Sequence, residues 1–457
     1  VEGDEAVGRA AIERVLTTVR APIRVGHETF GADMARVALV YDLCHPLWSE
    51  AEKAEFLDYS GRTVDANVGS ELAVFHNAWY GYKHWGYGLT AYATWYEWEP
   101  VSFDNERAGL RQAFGKPMRA MAHLDRAEII VSLDCDLFTE HPASAAYSRD
   151  FARSRKPDGG SLGPGKMNRL YAVESVYTHA GVLADHRLPL RSEHVLPFVQ
   201  ALDAELGGGG GGGGEVVKEA KVDKYLKALA AALKAAKGTV VLVAGRKQPA
   251  AVHALVAKIN GQLGNGLVSY YDDPEPTRLD HADGIAAVVR DLKANQVETL
   301  IILGGNPVYD APADLDFAAA LAQAKTSVHL SEYVNETSVK TTWHVPKAHY
   351  LECWGDARTW DGTWTIQQPL ILPLYGGVST IEFVAQRLGE GRAAEQLVRE
   401  GVEAAGGQWR ASVHDGYVAG STWSPAQAAV GTLPPVAFTG TPTSAGGNGT
   451  FEVTFSP

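Results

Sequence analysis

The sequence predicts an α/β protein: parallel sheets with flanking helices in two lobes, preceded by an all-α fragment. Three observations carry that expectation. From about Asp125 onward, short continuous apolar runs alternate with amphipathic helical stretches. A run of eight glycines, 207–214, interrupts the alternation. The first 94 residues, by contrast, show helical spacing and no strand-like runs.

Taken in order, apolar positions over 34–43 recur at helical spacing, and Ser49 before Glu50 and Glu52 has the form of an N-cap with acids in the first turn. A further helix is expected over 87–95, behind the aromatic segment that runs from His76 to Trp85. Strands are expected over 128–133, 170–173, 239–244, 299–303, 326–330 and 343–345. Helices are expected over 222–236, 250–263, 281–294 and 315–324. Continuous apolar strands bounded by helices argue for parallel sheets covered on both faces. The glycine run has no side chain to pack and spans roughly 16 Å as a coil, which reads as a surface loop between two lobes. The expected organisation is therefore a helical fragment over 1–95, a first α/β lobe over 96–206, the linker over 207–214, a second α/β lobe over 215–395 and a tail over 396–457. That tail becomes rich in Gly, Thr, Ser and Pro from about Gly406 and ends in one strand expected over 450–455. The chain opens Val-Glu-Gly-Asp-Glu and stops on that strand, so it is expected to be a segment of something longer.

Composition narrows the function classes. With 41 Lys plus Arg against 54 Asp plus Glu, the net charge is −13 over 457 residues, and no basic stripe offers itself to a phosphate backbone. A nucleic-acid partner is not expected. The 46% apolar content supports buried cores. Cys44, Cys135 and Cys353 lie far apart, without a CxxC pair or a Cys/His cluster, so neither an iron–sulfur cluster nor a structural zinc is expected in this chain. No run of about 18 apolar residues occurs, so no direct membrane span is expected. His344 and His349 stand five apart on a non-helical stretch without an acid or cysteine at matching spacing, and metal ligation is not expected there.

The strongest chemical signal is a strand-then-loop that occurs twice. Leu300-Ile301-Ile302-Leu303 leads into Gly304-Gly305-Asn306-Pro307, then Ala311-Pro312. Glycines at the carboxyl end of a buried strand let a backbone approach a phosphate or purine closely, and Asn can hydrogen-bond it. The other copy, Ile129-Ile130-Val131-Ser132-Leu133, leads into Asp134-Cys135-Asp136, then His141-Pro142. There two carboxylates, Asp134 and Asp136, stand where an anion would sit, at a cost of several kcal/mol in a cleft of reduced dielectric. Both copies are also what tight strand-to-loop turns look like. A second patch, from Glu336 through Trp343, His344, Trp354 and Asp356 to Gly362-Thr363-Trp364, interleaves turn residues with tryptophans that suit a pocket or a subunit interface.

These residues resemble the molybdopterin-oxidoreductase superfamily, and more narrowly the large molybdopterin-like, iron–sulfur subunit of bacterial alternative complex III, a quinol-oxidising respiratory assembly. The resemblance runs collinearly over about 98–455, through Asp104-Asn105-Glu106-Arg107, Leu124-Asp125-Arg126-Ala127-Glu128, Met167-Asn168-Arg169-Leu170, Ala184-Asp185-His186-Arg187, Gly245-Arg246-Lys247-Gln248-Pro249, Gly304–Pro312 and Gly355-Asp356-Ala357-Arg358. It implies a molybdopterin-oxidoreductase-like fold and a vestigial cofactor site at Gly304, Gly305, Asn306, Pro307, Asp134, Asp136, Gly362 and Thr363. Cofactor-binding members usually carry Gly-x-Asn where this chain has Ser132-Leu133-Asp134, and an Asn and Glu-Gly-Arg after the Gly-Thr turn where it runs Gly362-Thr363-Trp364-Thr365-Ile366-Gln367. Both departures remove donors for a pterin phosphate. The resemblance therefore implies that molybdopterin has been lost, that no residue of this chain is catalytic, and that the iron–sulfur clusters sit in a domain absent from it. It further implies partners among the subunits of a membrane respiratory complex, on the outer face of the cytoplasmic membrane, although the chain carries no targeting signal.

The first 94 residues resemble instead the helical toroid of heparinase II/III-type polysaccharide lyases, through Ala38-Leu39-Val40-Tyr41-Asp42-Leu43, Trp48-Ser49-Glu50 and His76-Asn77-Ala78-Trp79. That likeness makes Asn77 or His76 the candidate that neutralises a uronate carboxylate. The β-sandwich and the proton-transferring Tyr that complete such a cleft are expected downstream, where the chain has already changed family. The expected function is a cofactor-free scaffold; the alternatives are a molybdopterin- or dinucleotide-dependent oxidoreductase and a lyase fragment.

Overall fold

A computed structural model describes residues 5–21, 47–66, 94–156, 160–208, 218–263, 266–388 and 391–433. The helix expected over 34–43, nearly all of that over 87–95 and the strand over 450–455 lie outside these residues, and Thr94 and Trp95 are not helical.

At the front, α1 (Glu5–Val19) and α2 (Glu50–Ala66) bury Ile12, Val15, Leu16 and Val19 against Trp48 and Tyr59. Ser49 caps α2, as its position predicts: its hydroxyl accepts from the Glu52 N–H at 3.3 Å while the Glu52 carboxylate accepts from the Ser49 N–H at 2.8 Å. Two hydrogen bonds from Arg9, at 2.8 and 2.9 Å, tie α1 to that cap, and with Ser49 they hold the Glu52 carboxyl down at about 2.

Next come α3 (Asp104–Phe114), β1 (Met118–Ala122), β2 (Ile129–Leu133), α4 (Ser144–Ser154), β3 (Arg169–Glu174), α5 (His179–Leu183), β4 (His186–Pro189), α6 (Val195–Glu205), α7 (Ala220–Ala235), β5 (Val240–Ala244) and α8 (Ala250–Gln262). Four of these strands form a parallel sheet in the order β4-β3-β2-β5. Every residue of β2 is buried. Ile129, Val131 and Leu133 meet α6, α7 and α8, while Ile130 meets Tyr147 and Phe151 of α4 on the other face. Burial on both faces is why the run is continuously apolar instead of alternating. The sheet crosses the boundary expected at the glycines: β5 follows them in sequence yet pairs with β2 at the sheet's edge, its apolar run packing into the same core.

The chain then forms β6 (Val268–Asp272), which pairs antiparallel with β1, and α9 (His281–Lys293). This two-stranded ribbon escaped the sequence reading because Arg119 and Ser269 break the apolar run of its short strands. A second parallel sheet follows, β7 (Thr299–Leu303), β8 (Thr326–Ser331) and β9 (Trp343–Pro346), in that order across the sheet. Between β7 and β8 lie α10 (Pro307–Asp310) and α11 (Phe317–Leu321). The helix expected over 315–324 is thus shorter, since Asp316 at φ 48° breaks it and caps α11. Residues of α9 and α11 cover Leu300 and Ile302, while Ile301 on the opposite face is 42% exposed.

The hairpin of β10 (Gly355–Arg358) and β11 (Trp364–Gln367) precedes α12 (Thr380–Arg387), α13 (Ala394–Ala404) and α14 (Trp409–Asp415). What was expected to be a tail from 396 is therefore helical as far as Asp415: Val398 and Val402, one turn apart on α13, pack on Ile366 and Val418. Buried Arg107 ties α3 to the segment between β6 and α9, bonding the carboxylates of Asp273 at 2.6 Å and Asp280 at 2.9 Å and the carbonyls of Glu275 and Pro276. No helix among the described residues is long and apolar enough to cross a membrane.

Candidate functional site

In an open α/β sheet the ligand side is the carboxyl end of the strands. At the end of β2, Asp134 takes φ 50°, a left-handed conformation that Asp tolerates better than most side chains. The residue is buried, at 8% exposure. One oxygen accepts from the backbone N–H and hydroxyl of Ser175, at 2.9 and 2.8 Å. The other accepts from the Ser192 hydroxyl at 2.7 Å and the Gln248 amide at 3.0 Å. Asp134 thus knots together the ends of β2 and β3, the turn after β4 and the loop after β5. Asp136 is treated alike: Phe138 N–H, Thr139 hydroxyl and the His179 backbone and ring donate to it at 3.1, 2.6, 3.2 and 3.2 Å. Burial works against its ionisation, but these donors outweigh burial and lower its pKa. The sequence reading put two carboxylates in the crevice; in the structure both are turned onto internal donors.

At the end of β7, Gly304 and Gly305 take φ 83° and 71°, and the space where side chains would stand is open, with the Lys347 ammonium 4.0 Å away. The backbone here is free to be approached. The Asn306 side chain is not: its amide donates to Glu336 at 2.7 Å, and its oxygen accepts from the Thr337 N–H and hydroxyl at 3.1 and 2.8 Å. Pro307 opens α10 behind it. Buried His329 contacts the Gly305 carbonyl at 3.2 Å and the Ser338 hydroxyl at 2.9 Å, and burial lowers its pKa.

Gly362 and Thr363 form the turn between β10 and β11. A Cβ on Gly362 would stand 2.1 Å from the Trp423 ring, so this turn requires glycine both for φ 85° and for contact. The Thr363 hydroxyl bonds that of Thr422 at 2.8 Å. Trp360 of the same turn reaches the β1–β6 ribbon and the loop after β2: its indole donates to the Ala120 carbonyl of β1 at 2.8 Å, and its ring lies 5.1 Å from Phe103 and 5.8 Å from His141. Arg119 stacks over both Trp360 and Trp423, at 5.0 and 5.5 Å. Burial pushes His141 down to about 4, so it is a neutral ring at ordinary pH. The structure therefore brings the Gly362–Thr363 turn to the loop after β2, whereas no contact joins Gly304–Pro307 to Asp134 or Asp136 among the described residues. His76 and Asn77 lie outside the described residues.

Ser175, Ser192, Gln248 and His179 were not expected as site residues. They join their aspartates from 41, 58, 114 and 43 residues away, so no local spacing announces them.

A molybdopterin needs donors for its phosphate and usually a protein ligand for its metal. The donors around Asp134 and Asp136 are spent on those carboxylates. Among the described residues no three His, Cys, Asp or Glu gather to hold a metal ion. The residues present do not fit the group.

No family model matches the sequence, and no curated protein matches it. Solved structures do: the fold is similar to that of acetylene hydratase from Pelobacter acetylenicus, with a TM-score of 0.52 and 12% identity over 70% of this chain. The chain spans about 55% of that protein's length. The likeness shows the fold class, a mixed α/β molybdopterin-oxidoreductase-like architecture with parallel sheets and flanking helices.

Proposed function

We propose that this chain is a cofactor-free, molybdopterin-oxidoreductase-like scaffold: a subunit of a quinol-oxidising respiratory complex of the alternative complex III type. It holds neighbouring subunits and an iron–sulfur domain outside this chain in register for electron transfer, on the outer face of the cytoplasmic membrane. The observation that carries the loss of cofactor is the Asp134 carboxylate, tied by four donors at the ligand side of the central strand. The respiratory setting rests on the sequence resemblance. An apolar run on the second lobe supports a docking role: Leu370, Leu372, Leu374 and Tyr375 are 76%, 85%, 67% and 88% exposed, far beyond scattered surface leucines.

The test is fractionation of mildly solubilised native membranes. The reading expects the chain to migrate with an iron–sulfur-containing assembly that oxidises quinol. Migration as a lone protein, away from quinol oxidation, contradicts it.

A second reading, dinucleotide binding at Gly304 and Gly305, draws on their open, left-handed backbone near Lys347. It predicts heat on calorimetric titration with a guanine or adenine dinucleotide; a flat titration removes it.

A further inference from the structure

The two parallel sheets end in four edge strands, β4 and β5 in the first and β7 and β9 in the second. An edge presents backbone N–H and C=O groups that native proteins normally cover. Three of these edges are covered. On β5 the Asn260 side chain of α8 takes both groups of Leu242, accepting from its N–H and donating to its carbonyl, each at 3.0 Å. On β4 the His186 carbonyl accepts from the Tyr225 hydroxyl at 3.0 Å, and Pro189 has no N–H to offer. On β9 the Pro346 carbonyl accepts from the Val378 N–H at 3.0 Å.

The β7 edge has no such cover among the described residues. The Glu298 carbonyl accepts from the Thr326 N–H at 3.1 Å, and the Gly304 N–H donates to the Leu330 carbonyl at 2.8 Å, so the even-numbered residues of this strand face β8. Thr299, Ile301 and Leu303 therefore aim their backbone groups outward, on the side where no strand pairs. Residues 299–303 include no charge and no proline, the usual devices against strand addition. Thr299 and Ile301 are exposed. On the face away from α9 and α11, Ile301 starts an apolar row that continues in register through Val328 to exposed Trp343.

We propose that β7 is a homodimer interface, pairing antiparallel with β7 of a second copy about a two-fold axis at Ile301. The open groups select this occupant because they are self-complementary when reversed. Ile301 faces its own mate, Thr299 faces Leu303, and Leu303 faces Thr299. Each facing pair exchanges both N–H···O bonds, so every outward group of the strand is satisfied. The neighbouring charge, Glu298, is held by Lys325 at 2.9 Å, so the pairing sets no bare like charges against each other. The two sheets become one, closed at both ends by the already covered β9, which leaves no edge for further growth. The pairing does not depend on the respiratory role proposed above.

The test is sedimentation of the full chain over a range of concentrations, together with amide exchange resolved by residue. Expected are a monomer–dimer equilibrium and slow exchange at Thr299, Ile301 and Leu303 in the dimer. On dilution those three amides should exchange freely, while Leu300 and Ile302, bonded to β8, stay protected. Ile301→Pro removes the N–H at the two-fold axis without touching the β8 ladder, and Ile301→Lys sets two ammonium groups against each other there. Each should weaken the dimer at least about tenfold. A chain that stays monomeric at every concentration overturns the proposal. So does a dimer in which those three amides exchange freely, or one that either variant leaves intact. If a variant does not fold, the wild-type exchange pattern decides alone.

Discussion

Replacing Asp134 separates two physical accounts of the first loop. Were it a bare carboxylate held in the crevice, its removal would relieve repulsion and leave stability unchanged or improved. The structure instead has it accepting four hydrogen bonds from Ser175, Ser192 and Gln248. Hydrogen bonds to a charged acceptor are each worth about 1.5–3 kcal/mol, although losses within one network do not add. Alanine also sits poorly at φ 50°, costing about 1–2 kcal/mol more. Asp134→Ala should therefore lose about 4 kcal/mol, a large share of a domain's stability. Asp134→Asn should lose far less, about 1–2 kcal/mol. Asn tolerates the backbone, and the Gln248 side-chain oxygen, buried without a partner, can turn to accept from the new amide. Guanidinium unfolding followed by circular dichroism, with the denaturant slope checked for constancy, measures both. An Asp134→Ala loss below about 1 kcal/mol, or an Asn variant weaker than the Ala variant, would refute the reasoning.

Three further outcomes follow from buried groups. Glu106 has its pKa raised from 4.5 to about 7 by burial, so the folded protein holds a proton the unfolded chain has released; stability then falls as pH rises between those values, by about 3 kcal/mol in full. Glu106→Gln should flatten that fall, gaining on the wild type between about pH 5 and about pH 8 in unfolding titrations; parallel curves contradict the assignment. Arg107→Ala strands the Asp273 carboxylate and should cost about 3–5 kcal/mol, read by thermal or denaturant unfolding, with a loss under about 1 kcal/mol as the contrary result. Gly362→Ala forces Trp423 off the β10–β11 turn and should shift the tryptophan fluorescence of the folded state; an unchanged spectrum and stability would show the contact to be absent.

The sequence made six of the seven described parallel strands legible as apolar runs, each within a residue or so at its ends, whether buried on both faces like β2 or open on one like β7; β4, where His186 and Arg187 interrupt the run, was not expected. What it hid is what depends on partners far along the chain. β5 reads as the start of a new lobe until its pairing with β2 is seen, since pairing leaves no mark on composition. The β1–β6 ribbon carries Arg119 and Ser269 among its residues and so lacks the pattern of a buried strand. At the candidate site, glycines that need left-handed φ were visible as Gly304, Gly305 and Gly362, because few other residues suit such turns. Asp134 was visible as an acid in an unusual place, but the direction of its carboxylate was not, since Ser175, Ser192 and Gln248 come from three other loops.

The most direct test of the central claim is elemental and pterin analysis of the chain purified from its native source. Molybdenum and tungsten are measured by mass spectrometry, and pterin by the fluorescence of its oxidised derivative. A scaffold whose cofactor donors are spent on Asp134 and Asp136 predicts neither metal nor pterin above background. Either of them at one equivalent per chain would contradict it.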